Sequence, residues 1–103
     1  MNQFGEQIKQ LREQKGLLQR QVANQLDMDT PMLSKIERGE RNAKRDQVTI
    51  LSKIFSVPED ELLSLWLADK VYNMVKDENV ALKALSVTEE ELKINPKRKR
   101  ASK

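Results

Sequence analysis

Apolar residues in this chain recur at helical spacing, and nowhere do they alternate with period two for long enough to build a sheet. That property confines the fold to packed helices. Phe4, Ile8 and Leu11 form a first stripe, which Lys15-Gly16 stops, with glycine as the left-handed cap. Val22, Ala23 and Leu26 form a second, short stripe, interrupted at Asp27-Met28-Asp29. Leu33 and Ile36 follow before another stop at Gly39. Thr30-Pro31 stands where this third helix begins, because proline suits a first turn, with either Asp29 or Thr30 as its cap. Val48, Leu51 and Phe55 make a fourth stripe that ends near Ser56-Val57-Pro58.

Beyond Pro58 the apolar residues become denser. Leu62, Leu63, Leu65, Trp66, Leu67, Val71, Met74 and Val75 all fit one helix starting at Glu59. Asp77-Glu78-Asn79 weakens the pattern, and Val80, Leu82 and Leu85 resume it. Thr88, with Glu91 three residues on, has the spacing of a capping box and predicts a separate, short last helix. Residues 96–103 hold too little apolar surface to pack and are expected to form a mobile arm.

Composition narrows the function. The 103 residues include no Cys and no His, which removes disulfides, thiolate or imidazole metal sites and any His-based triad. No enzyme activity, metal or cofactor is expected. No segment is long and apolar enough to span a membrane and no secretory signal opens the chain, so the expected location is cytoplasmic. Charge is unevenly spread. Residues 1–53 carry ten basic against seven acidic side chains, residues 54–95 four against nine, and residues 96–103 five against none. The basic front and tail suit a polyanion, which the acidic middle would repel.

The two short helices, Gln19 to Leu26 and about Thr30 to Arg38, carry the functional signal. Ala23 permits a close crossing, Val22 and Leu26 hold the second helix from one side, and Leu33 and Ile36 anchor it from the other. The outer face of that second helix is left for solvent or for a DNA major groove.

Residues 4–63 resemble the helix-turn-helix domain of the Xre, Cro and lambda-repressor-like family. The matching residues are Gly5, Ile8, Leu11-Arg12, Lys15-Gly16-Leu17, Gln19, Val22-Ala23, Leu26, Ser34-Lys35-Ile36-Glu37-Arg38-Gly39 and Leu62-Leu63. The resemblance implies an all-α, five-helix domain that binds double-stranded DNA, usually as a symmetric homodimer. There are three departures: Asp27 where the family turn has glycine, Leu18 in place of a Ser or Thr cap, and Ala43 where proline is common. They bear on stability, and none removes a DNA contact.

The resemblance also implies residue roles. Gln19 matches a phosphate-contacting position, and Arg12 and Glu37 match a pair that bridges the first helix to the recognition helix. Thr30, Pro31, Met32 and Lys35 are the candidate base contacts: Lys for guanine, Thr for a base edge or a thymine methyl, Pro and Met for apolar contact. Met32 has an equally ready place in the core. Ser34, Arg38, Arg41, Asn42, Lys44 and Arg45 are candidate phosphate contacts. So few bidentate donors imply that DNA deformability contributes to sequence preference.

Residues 1–65 thus read as the DNA-binding domain, 66–95 as a helical extension and 96–103 as a basic tail, either a nonspecific phosphate-binding arm or a plain solubilising tail. Leu62, Leu65, Trp66, Leu67, Val71, Met74 and Val75 are the expected dimer interface, the alternative being a segment that folds back to enlarge the monomer core. The run Trp66-Leu67-Ala68-Asp69-Lys70 resembles extensions of small regulators encoded beside restriction or methyltransferase genes. The expected function is transcriptional repression from an inverted-repeat operator, with RNA polymerase contact as the route to activation. The alternative is an antitoxin-type module whose acidic half binds a toxin-like protein partner. Glu59-Asp60-Glu61 is read as acids suiting a helix start rather than as a metal site.

Overall fold

A computed structural model describes residues 1–95, and the basic run expected to form an arm lies outside the described residues. The helices are α1 (Gln3–Gln14), α2 (Gln19–Gln25), α3 (Thr30–Glu37), α4 (Arg45–Phe55), α5 (Glu59–Val75) and α6 (Ala81–Ile94), with no strand among the described residues. The all-helical expectation holds, and the helix limits agree closely with the stripes and stops.

The first four helices end in the same way. After each, one residue takes a left-handed backbone: Gly16 (φ +68°), Asp27 (φ +56°), Gly39 (φ +79°) and Ser56 (φ +55°). In each case the next amide reaches back across the last turn. Leu17 N bonds Arg12 O at 3.0 Å, Met28 N bonds Ala23 O at 3.0 Å, Glu40 N bonds Lys35 O at 2.8 Å, and Val57 N bonds Ser52 O at 3.0 Å. These are Schellman caps, which take up the orphan carbonyls at a helix end. Glycine enters this conformation freely, whereas Asp27 and Ser56 enter it at a cost.

Phe4 and Ile8 from α1, Val22, Ala23 and Leu26 from α2, Leu33 and Ile36 from α3, and Val48, Leu51 and Phe55 from α4 meet in one core, with Ala43 and Leu62. Gly5 makes the α1–α3 approach possible. A Cβ there would lie 2.5 Å from Ile36 O and 2.6 Å from Glu37 O. Acids fill the first turn of α5, where they suit the helix dipole, and Glu59 accepts a hydrogen bond from the Thr49 hydroxyl of α4.

Two expectations about α5 and α6 need correction. Leu62 is fully buried in the monomer core, so it cannot face a second copy. Thr88 does not start a helix: it lies inside α6, where its hydroxyl donates to Ala84 O at 2.9 Å. The helix-favouring run Ala81–Leu85 continues through it, and a threonine hydroxyl that bonds the preceding turn is compatible with helix interior. The chain divides into two compact units, Met1–Asn73 and a second beginning at Met74. α6 has no buried residue, and its Leu82 is 85% exposed.

Candidate nucleic-acid interface

The turn between α2 and α3 is set by Asp27, whose left-handed backbone reverses the chain and brings Asp29 to the start of α3. Asp29 is the cap: its Oδ1 accepts from Met32 N at 2.9 Å, which decides between it and Thr30. Pro31 follows in the first turn. α2 lacks a side-chain acceptor at Leu18, but Gln21 Oε1 accepts from Leu18 N at 2.7 Å and supplies half of a capping box.

Arg12 of α1 and Glu37 of α3 form an ion pair that joins the two helices. Arg12 Nε donates to Glu37 Oε2 at 2.7 Å and Nη2 to Oε1 at 3.1 Å, with Nη1 reaching Leu17 O at 2.9 Å. The side chains are 10% and 3% exposed. Hydrogen bonding to Glu37 raises the pKa of Arg12 beyond its already high value, against the opposing effect of burial. Gln19 joins the same group, its Nε2 donating to Glu37 Oε1 at 2.9 Å. Its amide is therefore oriented by α3 before any ligand arrives.

The exposed face of α3 presents Pro31, Lys35 and Arg38, with Thr30 and Ser34 half-buried beside them. Met32 is half-buried and packs against the core, so the core claims part of its surface. Gln19, Ser34 and Arg38 line a cleft on one side of α3 with Glu37 and residues of α1. Met32, Arg41, Asn42 and Lys44 line a second cleft, together with Met28, Ile36 and Gln47. Arg45 is exposed at the start of α4. The candidate phosphate contacts thus fall into two groups flanking the recognition helix.

Arg38 is not an unencumbered cation. It donates to Glu40 through Nε at 2.9 Å and Nη2 at 3.1 Å, and to the Ser34 hydroxyl. The hydrogen bonds between Arg38 and Glu40 raise the pKa of Arg38 and hold the Glu40 carboxyl below the ordinary carboxylate range.

Of the expected dimer residues, Leu65 and Trp66 pack against the core, and Val71 and Val75 are half-buried. Leu67 and Met74 are exposed, at 53% and 78%. Three further contributors, Arg20, Asn2 and Asp69, are not among the candidate residues, and Trp66 has a role besides the expected interface one. Arg20 shares a shallow depression with Thr30. Asn2 Oδ1 accepts from Gly5 N at 3.1 Å, and its Nδ2 donates to Glu37 O at 2.8 Å. Trp66 Nε1 donates to Ala43 O at 2.8 Å, and Asp69 accepts from Gln3 N at 3.0 Å and Phe4 N at 2.9 Å. For the last two no local pattern exists, since the partners lie 23 to 66 positions apart. Among the described residues, no cluster of carboxylates could hold a metal ion and no helix is long and apolar enough to cross a membrane.

A helix-turn-helix domain family matches residues 3–65. The HTH-type transcriptional activator BcrR of Enterococcus faecalis is 36% identical over 77 residues, which are 75% of this chain and 36% of that protein. The chain therefore spans about a third of the length of that relative. Among solved structures, the restriction-modification controller protein C.AhdI from Aeromonas hydrophila is 30% identical with a TM-score of 0.54, over 59% of this chain and 88% of that one. All four left-handed caps and the Arg12–Glu37 brace lie within the matched residues. The chain belongs to the helix-turn-helix domain family.

Proposed function

We propose that this protein is a DNA-binding transcriptional regulator that inserts α3 into the major groove of its operator. The observation that carries the reading is the arrangement around α3: an exposed face with Pro31 and Lys35 at its centre and two groups of polar and basic side chains on its flanks. A groove reader needs base-facing groups between two rows of phosphate contacts. Lys35, with Thr30, Pro31 and the exposed part of Met32, reads bases. Gln19, Ser34 and Arg38 serve one phosphate backbone, and Arg41, Asn42, Lys44 and Arg45 the other.

The protein acts as a homodimer on an inverted repeat, with half-sites about 34–36 Å apart, one helical turn. Leu67, Val71, Met74 and Val75 supply the dimer contact, with Leu65 and Trp66 supporting it from the core side. Repression by operator occupancy is the proposed effect. The similarity to a restriction-modification controller favours restriction-modification genes as the regulated set, and the relative named as an activator supplies the competing direction. A reporter placed behind the selected operator separates the two: a fall in expression supports repression, and a rise replaces it with activation. For the contact assignment, titrating wild type and Lys35→Ala on a selected duplex and on a scrambled one is decisive. The selected duplex should lose about 1–3 kcal/mol of binding and the scrambled one far less. Equal losses on both would make Lys35 a backbone contact.

A further inference from the structure

We propose that Trp66 and Asp69 are positioning residues for the DNA-reading surface, one pinning the loop after α3 and the other the α1 end that braces α3. The inference rests on the DNA-binding reading above and concerns residues that lie beyond the matched domain, which ends at residue 65.

Trp66 and Asp69 sit three positions apart on α5 and so share a face. The Trp66 indole N–H donates to Ala43 O at 2.8 Å, and the Lys70 ammonium lies 4.6 Å from the centre of the same ring. Ala43 is buried, at 4% exposure, whereas Arg41, Asn42, Lys44 and Arg45 around it are exposed. The loop that carries one row of candidate phosphate contacts is thus fixed at a single buried point, and α5 supplies its hydrogen bond.

Asp69 works at the other end. Its two oxygens accept from Gln3 N and Phe4 N, the first two amides of α1, while Asn2 Oδ1 takes the third, from Gly5. A carboxylate at a helix N-terminus satisfies orphan donors and suits the dipole. Asn2 then passes the constraint on, because its Nδ2 donates to Glu37 O in the last turn of α3. The close backbone approach at Gly5 leaves no slack between α1 and that turn. Asp69 therefore fixes α1 and, through Asn2, the C-terminal end of the recognition helix, from which Arg38 and the loop depart. Trp66, Asp69 and Asn2 line one narrow crevice together with Arg41 and Asn42.

Two conservative variants test this in the full chain. Trp66→Phe keeps an aromatic ring and removes the N–H donor, and Asp69→Asn removes the charge and one acceptor. Each should weaken binding to the selected duplex by roughly threefold or more, as loss of one ordering hydrogen bond implies, with helical content unchanged by circular dichroism. In the free protein, the amide NMR shifts of Arg41 and Asn42 should move in Trp66→Phe, and those of Gly5 and Arg38 in Asp69→Asn. Ile54 of α4 is half-buried and packs against the core, so Ile54→Ala, which loses packing without touching either bond, should keep wild-type affinity well below its melting temperature. Tight wild-type binding that both variants retain, with unmoved shifts, overturns the positioning role alone. A wild-type protein that binds no DNA sequence preferentially sinks the DNA reading and this role with it.

Discussion

The Arg12 guanidinium and the Glu37 carboxylate form a two-point hydrogen-bonded pair, 2.7 and 3.1 Å, between side chains that are almost wholly buried. Removing one member leaves the other charged and without its counter-ion inside the domain, with only Leu17 O beside Arg12 or the Gln19 amide beside Glu37. Glu37→Ala should therefore cost about 3–5 kcal/mol, whereas replacing both with apolar residues of similar volume should cost much less. Urea denaturation of the single and double variants checks this. The double variant should fold yet bind DNA poorly, because Gln19 loses its partner on α3.

Gly5 should tolerate no side chain. Gly5→Ala puts a methyl group against two backbone carbonyls of α3, which cannot move aside as a flexible side chain would. The expected loss is about 1–3 kcal/mol or more, read as a fall in melting temperature.

Much of this architecture was legible in the sequence because it is local. Gly16 and Gly39 mark helix ends by backbone chemistry alone, and Asp27 stands where the family turn has glycine. The recognition helix and its face follow from the spacing of Leu33 and Ile36. The stripe of α5 does not reveal which of its leucines the domain itself covers, so Leu62 reads as partner surface although it is fully buried. Asp69 was invisible as a cap because its acceptors serve α1, whose donors are 65 and 66 positions away. Thr88 and Glu91 have capping-box spacing, but the helix preference of the residues before them overrides it.

Asp27 and Ser56 occupy a backbone conformation that glycine adopts without penalty. Asp27→Gly and Ser56→Gly should each stabilise the domain, by up to about 1 kcal/mol after the added flexibility of the unfolded chain is deducted. Thermal melts of the two variants and their combination should show additive gains, since the sites end different helices.

Glu40 restrains Arg38. The hydrogen bonds from Arg38 depress the Glu40 pKa, so the pair is intact above the ordinary carboxylate range and is lost only as pH falls through that lowered value. Between about pH 6 and 8 Glu40 stays ionised and DNA affinity should show no dependence on it. Glu40→Gln should free Arg38 for phosphate, tightening selected and scrambled duplexes alike and steepening the salt dependence by about one contact. Filter binding across a salt series measures both.

In the proposed function, α3 reads DNA sequence in each half of a symmetric pair. Selection of bound duplexes from a random pool at physiological salt tests it most directly. The expected result is an enriched inverted repeat whose half-sites are about one helical turn apart. Enrichment of no sequence, with binding that vanishes as salt rises, would contradict it and leave only electrostatic attraction between basic side chains and phosphate.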